Sequence, residues 1–323
     1  MKAFTYKSAA TEAEAVKLLG RDAMPLAGGT SLLNLMKEDV LAPAVVVNIK
    51  GIKGLDKVEA AADGVRIGAN VTLTALLENE ALGKAYPALA QALATVGTPQ
   101  IRNMATLGGN LCAKTACWYY MHDGFACPKK GSPVGCPAKE GDNEQHAIFA
   151  TDGPCVSVHA SSAAPALVAL AAKVRIAGPN GAREVAIEEF FSLVKTDIPR
   201  ENVLQANEIV THVILGKASP KSATYVVLPK GSHDWPVGLA SVALDVQGGS
   251  VRSARVCLGA VAPVPWRVPA AEQALAGKAV NDETAGKAAD AAVAGAAPLS
   301  MNAYKVRTTH TAVKRAILAA AKG

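Results

Sequence analysis

The sequence predicts an α+β fold, and two observations carry that prediction. Near the N-terminus, short apolar runs alternate with helical patterns, an order that is typical of a small parallel sheet. Toward the C-terminus, the apolar stretches 239–246 and 251–261 flank a Gln-Gly-Gly-Ser turn at 247–250 and predict an antiparallel hairpin accompanied by helices. We therefore expect a first domain over residues 1–218 and a smaller α+β domain over residues 219–323.

The N-terminal segment predicts three strands joined by helices. The strands cover residues 3–6, 24–27 and 45–49. A Thr-Glu-Ala-Glu capping box at 11–14 predicts the start of the first helix, and Gly20 its end. Because helical crossovers connect parallel strands, we expect these three strands to form a parallel sheet.

A glycine turn separates the second strand from the next predicted helix, at 32–36. The turn is Gly28-Gly29-Thr30-Ser31. A strand, a glycine turn and a helix point successive backbone N–H groups at an anion, and small side chains let a phosphate approach. The pattern matches neither G-x-G-x-x-G nor G-x-x-x-x-G-K-[ST], and alone such a turn is most often only a turn.

A second glycine turn, Gly108-Gly109, lies between Thr106 and Asn110. The hydroxyl and amide groups of these neighbours can bond to phosphate or ring oxygens. Two separated glycine turns in one domain favour a long dinucleotide over a single phosphate.

Further elements complete the first domain and lead into the second. Strands are predicted at 65–69, 173–176 and 208–215, helices at 88–94 and 164–170, a hairpin turn at 179–181, a domain boundary at 216–222, and one or two helices within 277–297.

The stretch from Cys112 to Cys155 holds five of the six cysteines but little hydrophobic periodicity. Four of them are separated by wide gaps and turn residues, so they could converge: Cys117, Cys127, Cys136 and Cys155. Zinc and iron–sulfur clusters are both ligated by four thiolates, and the absence of close C-x2-4-C pairs among these four cysteines favours a cluster over zinc. The absence of a signal peptide disfavours disulfides. The remaining interpretation is that the thiols pack as small apolar groups without a ligand, which suits Cys112 and Cys257 better than the other four cysteines.

Composition excludes several classes of function. The net charge of +6 is modest and forms no basic stripe, so no nucleic-acid surface is expected. No apolar run approaches the length of a membrane span, and the N-terminus lacks a secretory signal. We expect a cytoplasmic protein, or a periplasmic one if a signal-bearing partner exports it folded.

Three motifs, at 27–33, 100–110 and 258–267, together resemble the FAD-binding (medium) subunit of molybdenum hydroxylases, the xanthine dehydrogenase family. The resemblance implies a two-subdomain FAD-binding domain of the vanillyl-alcohol-oxidase type, with subdomains at about 1–57 and 58–218, and a C-terminal flavoprotein domain. It implies these FAD-binding residues: Ala27, Gly28, Gly29, Thr30, Ser31, Leu32, Leu33, Thr106, Gly108, Gly109 and Asn110.

The sequence departs from the family at one FAD contact. Where the family commonly has Ser-Asp before an Ala-Pro helix, Ser162 replaces the acid. The resemblance also implies that Lys230 and the segment 233–236 lie near the flavin, on a loop of the C-terminal domain.

The cysteine stretch resembles the insertion, at about 112–155, of the aldehyde oxidoreductase and 4-hydroxybenzoyl-CoA reductase types. In those types the insertion binds a [4Fe–4S] cluster, which implies that Cys117, Cys127, Cys136 and Cys155 are its ligands. We expect His122, His146 and His159 to be structural, with no catalytic acid or base in this chain.

The function implied is electron transfer within a heteromeric molybdenum hydroxylase. A large subunit would carry the molybdenum cofactor, a small subunit two [2Fe–2S] centres, and FAD would exchange electrons with NAD, ferredoxin, a quinone or oxygen. The alternatives are a stand-alone FAD oxidase or dehydrogenase and a zinc-stapled scaffold without redox activity.

Overall fold

The computed structural model describes residues 1–193, 198–231 and 233–323. Its first sheet is the predicted parallel one, in the order β1-β3-β2. Its elements are β1 Thr5–Ser8, α1 Glu12–Leu18, β2 Ala23–Leu26, α2 Leu32–Lys37 and β3 Val45–Asn48. The Thr11 hydroxyl accepts a hydrogen bond from the Glu14 N–H and caps α1 as expected, while the Glu14 carboxylate accepts from the Ala10 N–H instead of the Thr11 N–H.

The second sheet has five antiparallel strands in the order β4-β5-β8-β6-β7. They are β4 Val58–Ala61, β5 Gly64–Gly68, β6 Lys173–Gly178, β7 Gly181–Ala186 and β8 Ile209–Leu215. Because β5 pairs with β8, chain segments on either side of the cysteine stretch meet in one sheet. The hairpin turn predicted at 179–181 is confirmed, since it joins β6 to β7, whereas β4 was not predicted.

Short helices lie between β5 and β6 and beyond β7. They are α3 Leu73–Glu78, α4 Glu80–Ala85, α5 Pro87–Ala94, α6 Pro99–Met104, α7 Leu107–Leu111, α8 Trp118–Met121, α9 Ala163–Ala169 and α10 Ile187–Phe190. Helices α5 and α9 and strands β5, β6 and β8 share one apolar core, which anchors the second glycine turn through Leu107 and Leu111.

The third sheet is antiparallel, in the order β12-β11-β10-β9. Its strands are β9 Ser222–Val227, β10 Gly238–Gln247, β11 Ser250–Gly259 and β12 Trp266–Arg267, and its helices are α11 Pro269–Leu275, α12 Asp282–Val293 and α13 Tyr304–Lys322. The predicted hairpin is therefore confirmed as β10–β11. The region 277–297 contains one helix, α12, on which Lys287 pairs with Glu283 at 2.6 Å.

The cysteine stretch packs against the C-terminal part of the chain. Ile148 and Phe149 both donate backbone hydrogen bonds to the Val261 carbonyl, at 2.9 and 3.0 Å. The Phe149 ring stacks on Trp266 with 5.4 Å between centroids. Within the described ranges, no helix is long and apolar enough to cross a membrane.

Candidate cofactor-binding cleft and thiol cluster

A cleft of about 430 Å³ lies where the two glycine turns meet. Most of the residues implicated by the sequence line it: Ala27, Gly28, Gly29, Thr30, Ser31, Leu32, Thr106, Gly108, Gly109, Asn110 and Ser162. Leu33 does not line the cleft, and its side chain packs beside Gly29 instead. The structure thus brings both turns and Ser162 to one cavity.

The two turns approach each other too closely for side chains. A Cβ atom on Gly28 would lie 1.8 Å from the Met104 carbonyl oxygen, just before the second turn. One on Gly108 would lie 2.7 Å from the Ala69 Cβ. Gly29 has a φ of +76°, which glycine adopts without strain. These glycines are therefore required by the geometry of the cleft itself.

The backbone N–H groups of the second turn are bonded within the chain, since Gly108 donates to the Ala69 carbonyl at 2.9 Å and Asn110 to the Thr106 carbonyl at 2.8 Å. Ser31 makes no side-chain hydrogen bond at the start of α2, so the first N–H groups of that helix have no capping side chain. At α7 the Thr106 hydroxyl accepts from the Gly109 N–H at 3.1 Å and fixes the second turn. N–H groups at a helix start bind anions, which suits a phosphate or pyrophosphate.

Asn70 is a cleft residue that the sequence analysis missed. It is 7% exposed, and its Nδ2 donates to the Ile49 carbonyl over 2.8 Å. Its Oδ1 is buried with no hydrogen-bond partner in the described protein, although it belongs to a residue that lines the cleft. Because buried polar atoms are nearly always paired, this oxygen points to a donor on a bound group.

Asn110 and Ser162 differ in their local contacts. The Ser161 hydroxyl donates to Asn110 Oδ1 over 2.6 Å, which fixes the amide. The Ser162 hydroxyl makes no capping hydrogen bond on α9 and remains available to the cleft. Ser162 is shorter than the expected acid, and it brings no negative charge to the site.

The C-terminal part of the chain contributes a loop to the cleft, through 233–236. His233 Nδ1 lies 3.3 Å from the Gly97 carbonyl oxygen, which holds the loop against the first domain. Lys230 lies outside the cleft. Its side chain is 83% exposed and pairs with Asp234 at 3.9 Å, and it lines a separate groove.

The four wide-spaced cysteines converge. Cys117 and Cys127 belong to one apolar cluster with Tyr119 and Tyr120, and Cys136 packs against that cluster. All six cysteines are free thiols. No set of three or more Cys, His, Asp or Glu side chains in the described part of the chain is arranged to hold a single metal ion.

The thiols interact electrostatically with one another. A hydrogen bond between the Cys136 and Cys155 thiols lowers the pKa of Cys136 to about 6 and raises that of Cys155. Cys117 interacts with the other three, and burial raises its pKa to about 12. Each of the four thiols thus lies within electrostatic range of at least two others. Four convergent thiols suit a ligand that binds four thiolates, so the donor set fits a [4Fe–4S] cluster.

Polar groups surround the thiols. His146 Nε2 lies 3.2 Å from Cys117 Sγ, and the Cys155 thiol donates to the Ser157 hydroxyl over 3.3 Å. Lys129 and Glu201 form a buried ion pair at 2.8 Å beside the cluster. These contacts are able to orient the thiols and to stabilise negative charge on them.

A second cavity, of about 340 Å³, lies between the thiols and the cleft. Cys117, His146 and His159 line it. It shares wall residues with the cleft, namely Ala116, Ala160, Ser162, Trp235 and Pro236. The thiol cluster and the cleft are therefore neighbours within one site.

Fold and cleft together define a nucleotide-binding type of site, in which a glycine-turn cleft lies beside a group of four thiols. Comparison with known proteins identifies the family. Residues 2–217 match the FAD binding domain in molybdopterin dehydrogenase, and residues 223–320 match the CO dehydrogenase flavoprotein C-terminal domain. The chain belongs to this family of FAD-binding subunits, which confirms the resemblance to the medium subunits. The resemblance of the cysteine stretch to a [4Fe–4S] insertion stays a prediction.

Individual relatives extend over nearly the whole chain. The aldehyde oxidoreductase FAD-binding subunit PaoB of Escherichia coli K12 is 34% identical over 310 residues, 95% of this chain and 94% of that protein. The carbon monoxide dehydrogenase medium chain of Hydrogenophaga pseudoflava is 29% identical over 325 residues, 98% of this chain and 96% of that one. A solved structure of carbon monoxide dehydrogenase from the same organism superposes with a TM-score of 0.77 at 28% identity, covering 99% of this chain and 97% of that one. The predicted fold class and the assignment as an oxidoreductase subunit are confirmed.

Proposed function

We propose that this chain is the electron-transfer subunit of a heteromeric molybdenum hydroxylase and carries both FAD and a [4Fe–4S] cluster. The observation that supports it most is the adjacency of the two sites, since the cleft and the cavity beside Cys117 share wall residues. Two redox groups held in neighbouring cavities form a continuous route for electrons.

In this proposal the two glycine turns hold the dinucleotide. The N–H groups of Gly29, Thr30 and Ser31 face the pyrophosphate, and the close approach of Gly28 to Met104 keeps both turns in position. Asn70 Oδ1 accepts a hydrogen bond from the bound nucleotide. Bound FAD supplies the exchange between one-electron and two-electron carriers.

The cluster is assigned to Cys117, Cys127, Cys136 and Cys155, within the insertion at about 112–155. Their convergence in a mostly buried, apolar setting supports this assignment. Tyr119 and Tyr120 keep water away from the thiols, and His146 and Ser157 hydrogen-bond to two of them. Solvent exclusion and such hydrogen bonds set the potential of an iron–sulfur centre.

The partners follow from the relatives. Their names describe FAD-binding subunits and medium chains, which supports a large subunit with the molybdenum cofactor and a small subunit with two [2Fe–2S] centres. The aldehyde oxidoreductase relative has the higher identity of the two, so we propose an aldehyde as the substrate of the complex. The chain's own domains are proposed at 1–218 and 219–323, which is consistent with the two family matches.

The test compares the isolated chain with the complex that co-purifies with it. FAD is quantified after denaturation, the co-purifying proteins are identified by mass spectrometry, and an aromatic aldehyde is added anaerobically. We expect about one FAD per chain, and flavin bleaching by the aldehyde in the complex only. Bleaching of the isolated chain by aldehyde would instead establish a stand-alone oxidase or dehydrogenase.

A further inference from the structure

A groove of about 520 Å³ lies between β9 and α13 and shares no lining residue with the cleft or with the cavity beside Cys117. Three cationic residues line it, namely Lys230, Arg307 and Arg315, and none of its lining residues is acidic. Two tyrosines, the half-buried Tyr225 and the exposed Tyr304, also line it. Neither the cofactor sites nor the sequence motifs account for this concentration of positive charge.

The two arginines have no carboxylate partner among the residues that the structure describes. Arg315 lies over the Tyr225 ring, 5.0 Å from its centroid, and hydrogen-bonds to the Tyr225 hydroxyl. Arg307 is exposed and makes no ion pair in the described chain. Arg175, by contrast, is neutralised by Glu12 at 2.8 Å. Unpaired guanidinium groups favour an anionic ligand.

The spacing of these charges indicates the size of the ligand. Arg307 and Arg315 are eight residues apart on one helix, which separates them by about 12 Å along its axis. One phosphate or carboxylate does not span that distance. The hydroxyls of Thr308 and Thr311, which lie between them, already donate to the carbonyls of Lys305 and Arg307. The groove therefore has no cluster of donors around one point that would bind a compact anion. Its separated charges suit an extended acidic surface.

Its composition is typical of a protein interface. Arginine and tyrosine are enriched where proteins bind each other, and an arginine that is already stacked loses little side-chain freedom on binding. The contact between Arg315 and Tyr225 provides such a preordered pair. Tyr304 is 38% exposed and its hydroxyl donates to the Glu144 carbonyl at 3.2 Å, which fixes a second ring at the rim.

The groove also adjoins the cofactor cleft. Lys230 and Gly231 line the groove, and residues 233–236 of the same connection between β9 and β10 line the cleft. A protein bound in the groove would therefore lie beside the loop that lines the cleft through residues 233–236.

We propose that this groove docks the acidic face of a soluble one-electron carrier protein, with Arg307 and Arg315 as its main contacts. This inference rests on the proposed function, because it assumes that electrons enter or leave at the cleft. Electrostatic docking of this kind raises the association rate and weakens as salt screens the charges.

The test uses the chain with its co-purifying subunits and an acidic [2Fe–2S] ferredoxin as the probe. Affinity is measured by calorimetry at low and high ionic strength for the wild type, for Arg307→Glu/Arg315→Glu and for Arg21→Glu. Arg21 is a matched control, since it is exposed, lies in the N-terminal part of the chain and makes no ion pair in the described residues. We expect Kd for ferredoxin to rise about tenfold or more in the double variant and to change by less than about twofold in the control.

Several results would overturn the docking proposal. They are absence of ferredoxin binding to the wild type, equal binding by all three proteins, loss of a subunit from the double variant, and a selective loss of NADH binding in that variant. FAD and iron are quantified in the same samples. Missing cofactors would count against the proposed function, whereas intact cofactors with unchanged ferredoxin binding would count against the groove alone.

Discussion

Lys305 Nζ donates a hydrogen bond over 2.8 Å to the carbonyl oxygen of His146, and it does so with no exposure to solvent. The same ammonium group donates to the carbonyls of Gln145 at 3.0 Å and Ala260 at 2.7 Å. Burial lowers the pKa of Lys305 to about 7. One side chain of α13 therefore fixes the segment that carries His146 beside the Cys117 thiol.

Replacing Lys305 with Met should loosen this segment. Three carbonyls would lose a donor; the His146 carbonyl keeps the Asn302 amide, whereas the buried Ala260 carbonyl loses the lysine that pairs with it. The expected cost is about 2 kcal/mol of unfolding free energy, since an unpaired buried acceptor pays its full desolvation penalty. Chemical denaturation measures the loss, and hydrogen exchange of residues 143–148 locates it. Lys322→Met, at the exposed end of the same helix, should change stability by less than about 0.5 kcal/mol. Equal exchange of 143–148 in both variants would contradict the role of Lys305.

Gly28→Ala should remove FAD. Its Cβ would lie 1.8 Å from the Met104 carbonyl oxygen, so the two glycine turns must separate. Gly20→Ala is the matched control, because nothing lies within 4 Å of a Cβ there. Flavin absorbance per chain should fall several-fold in Gly28→Ala and stay at the wild-type value in Gly20→Ala. Full flavin occupancy in both would show that the contact between the turns does not shape the FAD site.

The buried ion pair of Lys129 and Glu201 should be strongly coupled. Either Lys129→Met or Glu201→Leu leaves one buried charge unpaired, at a cost of about 3–5 kcal/mol. The double variant removes both charges, so it should lose less than the sum of the single variants. A double-mutant cycle by urea denaturation measures this coupling. Additive losses would mean that the two charges do not stabilise each other.

His159 should make the protein sensitive to acid. Burial lowers its pKa to about 4, while the unfolded chain binds a proton near 6.5. The unfolded state then binds more protons below pH 6.5, so stability falls as the pH drops from there toward 4. Between pH 7.5 and 5, His159 alone should account for a loss of about 2 kcal/mol. The variant His159→Gln should lose about 2 kcal/mol less over that range in denaturation experiments. The same pH dependence in variant and wild type would place the acid sensitivity elsewhere.

Much of the fold and of the cleft could be predicted because the signals are local. Gly28-Gly29 follows an apolar strand directly, and the hairpin turn at 247–250 lies between two apolar runs, so neighbouring residues suffice to recognise both. Asn70 could not be found this way. Its partner Ile49 lies 21 residues away, and its unpaired oxygen is apparent only when the cleft is assembled.

The residues that hold the thiols in place could not be predicted from the sequence either. Lys305 holds His146 from 159 residues away, and Glu201 meets Lys129 across 72 residues. A single sequence contains no local pattern that links such positions. Cysteine spacing indicated that the four thiols could converge, but the groups that surround them depend on long-range packing.

The most direct test of the central claim is anaerobic quantification of iron, zinc and FAD, followed by low-temperature EPR after dithionite reduction. The wild type is compared with Cys127→Ser and with Cys257→Ala, which removes a buried thiol outside the cluster. We predict about four irons and one FAD per chain, not counting iron from any co-purifying subunit. The EPR signal of the reduced cluster should be lost in Cys127→Ser and retained in Cys257→Ala. FAD without iron in the isolated chain would contradict the cluster, and zinc without flavin would contradict the entire account.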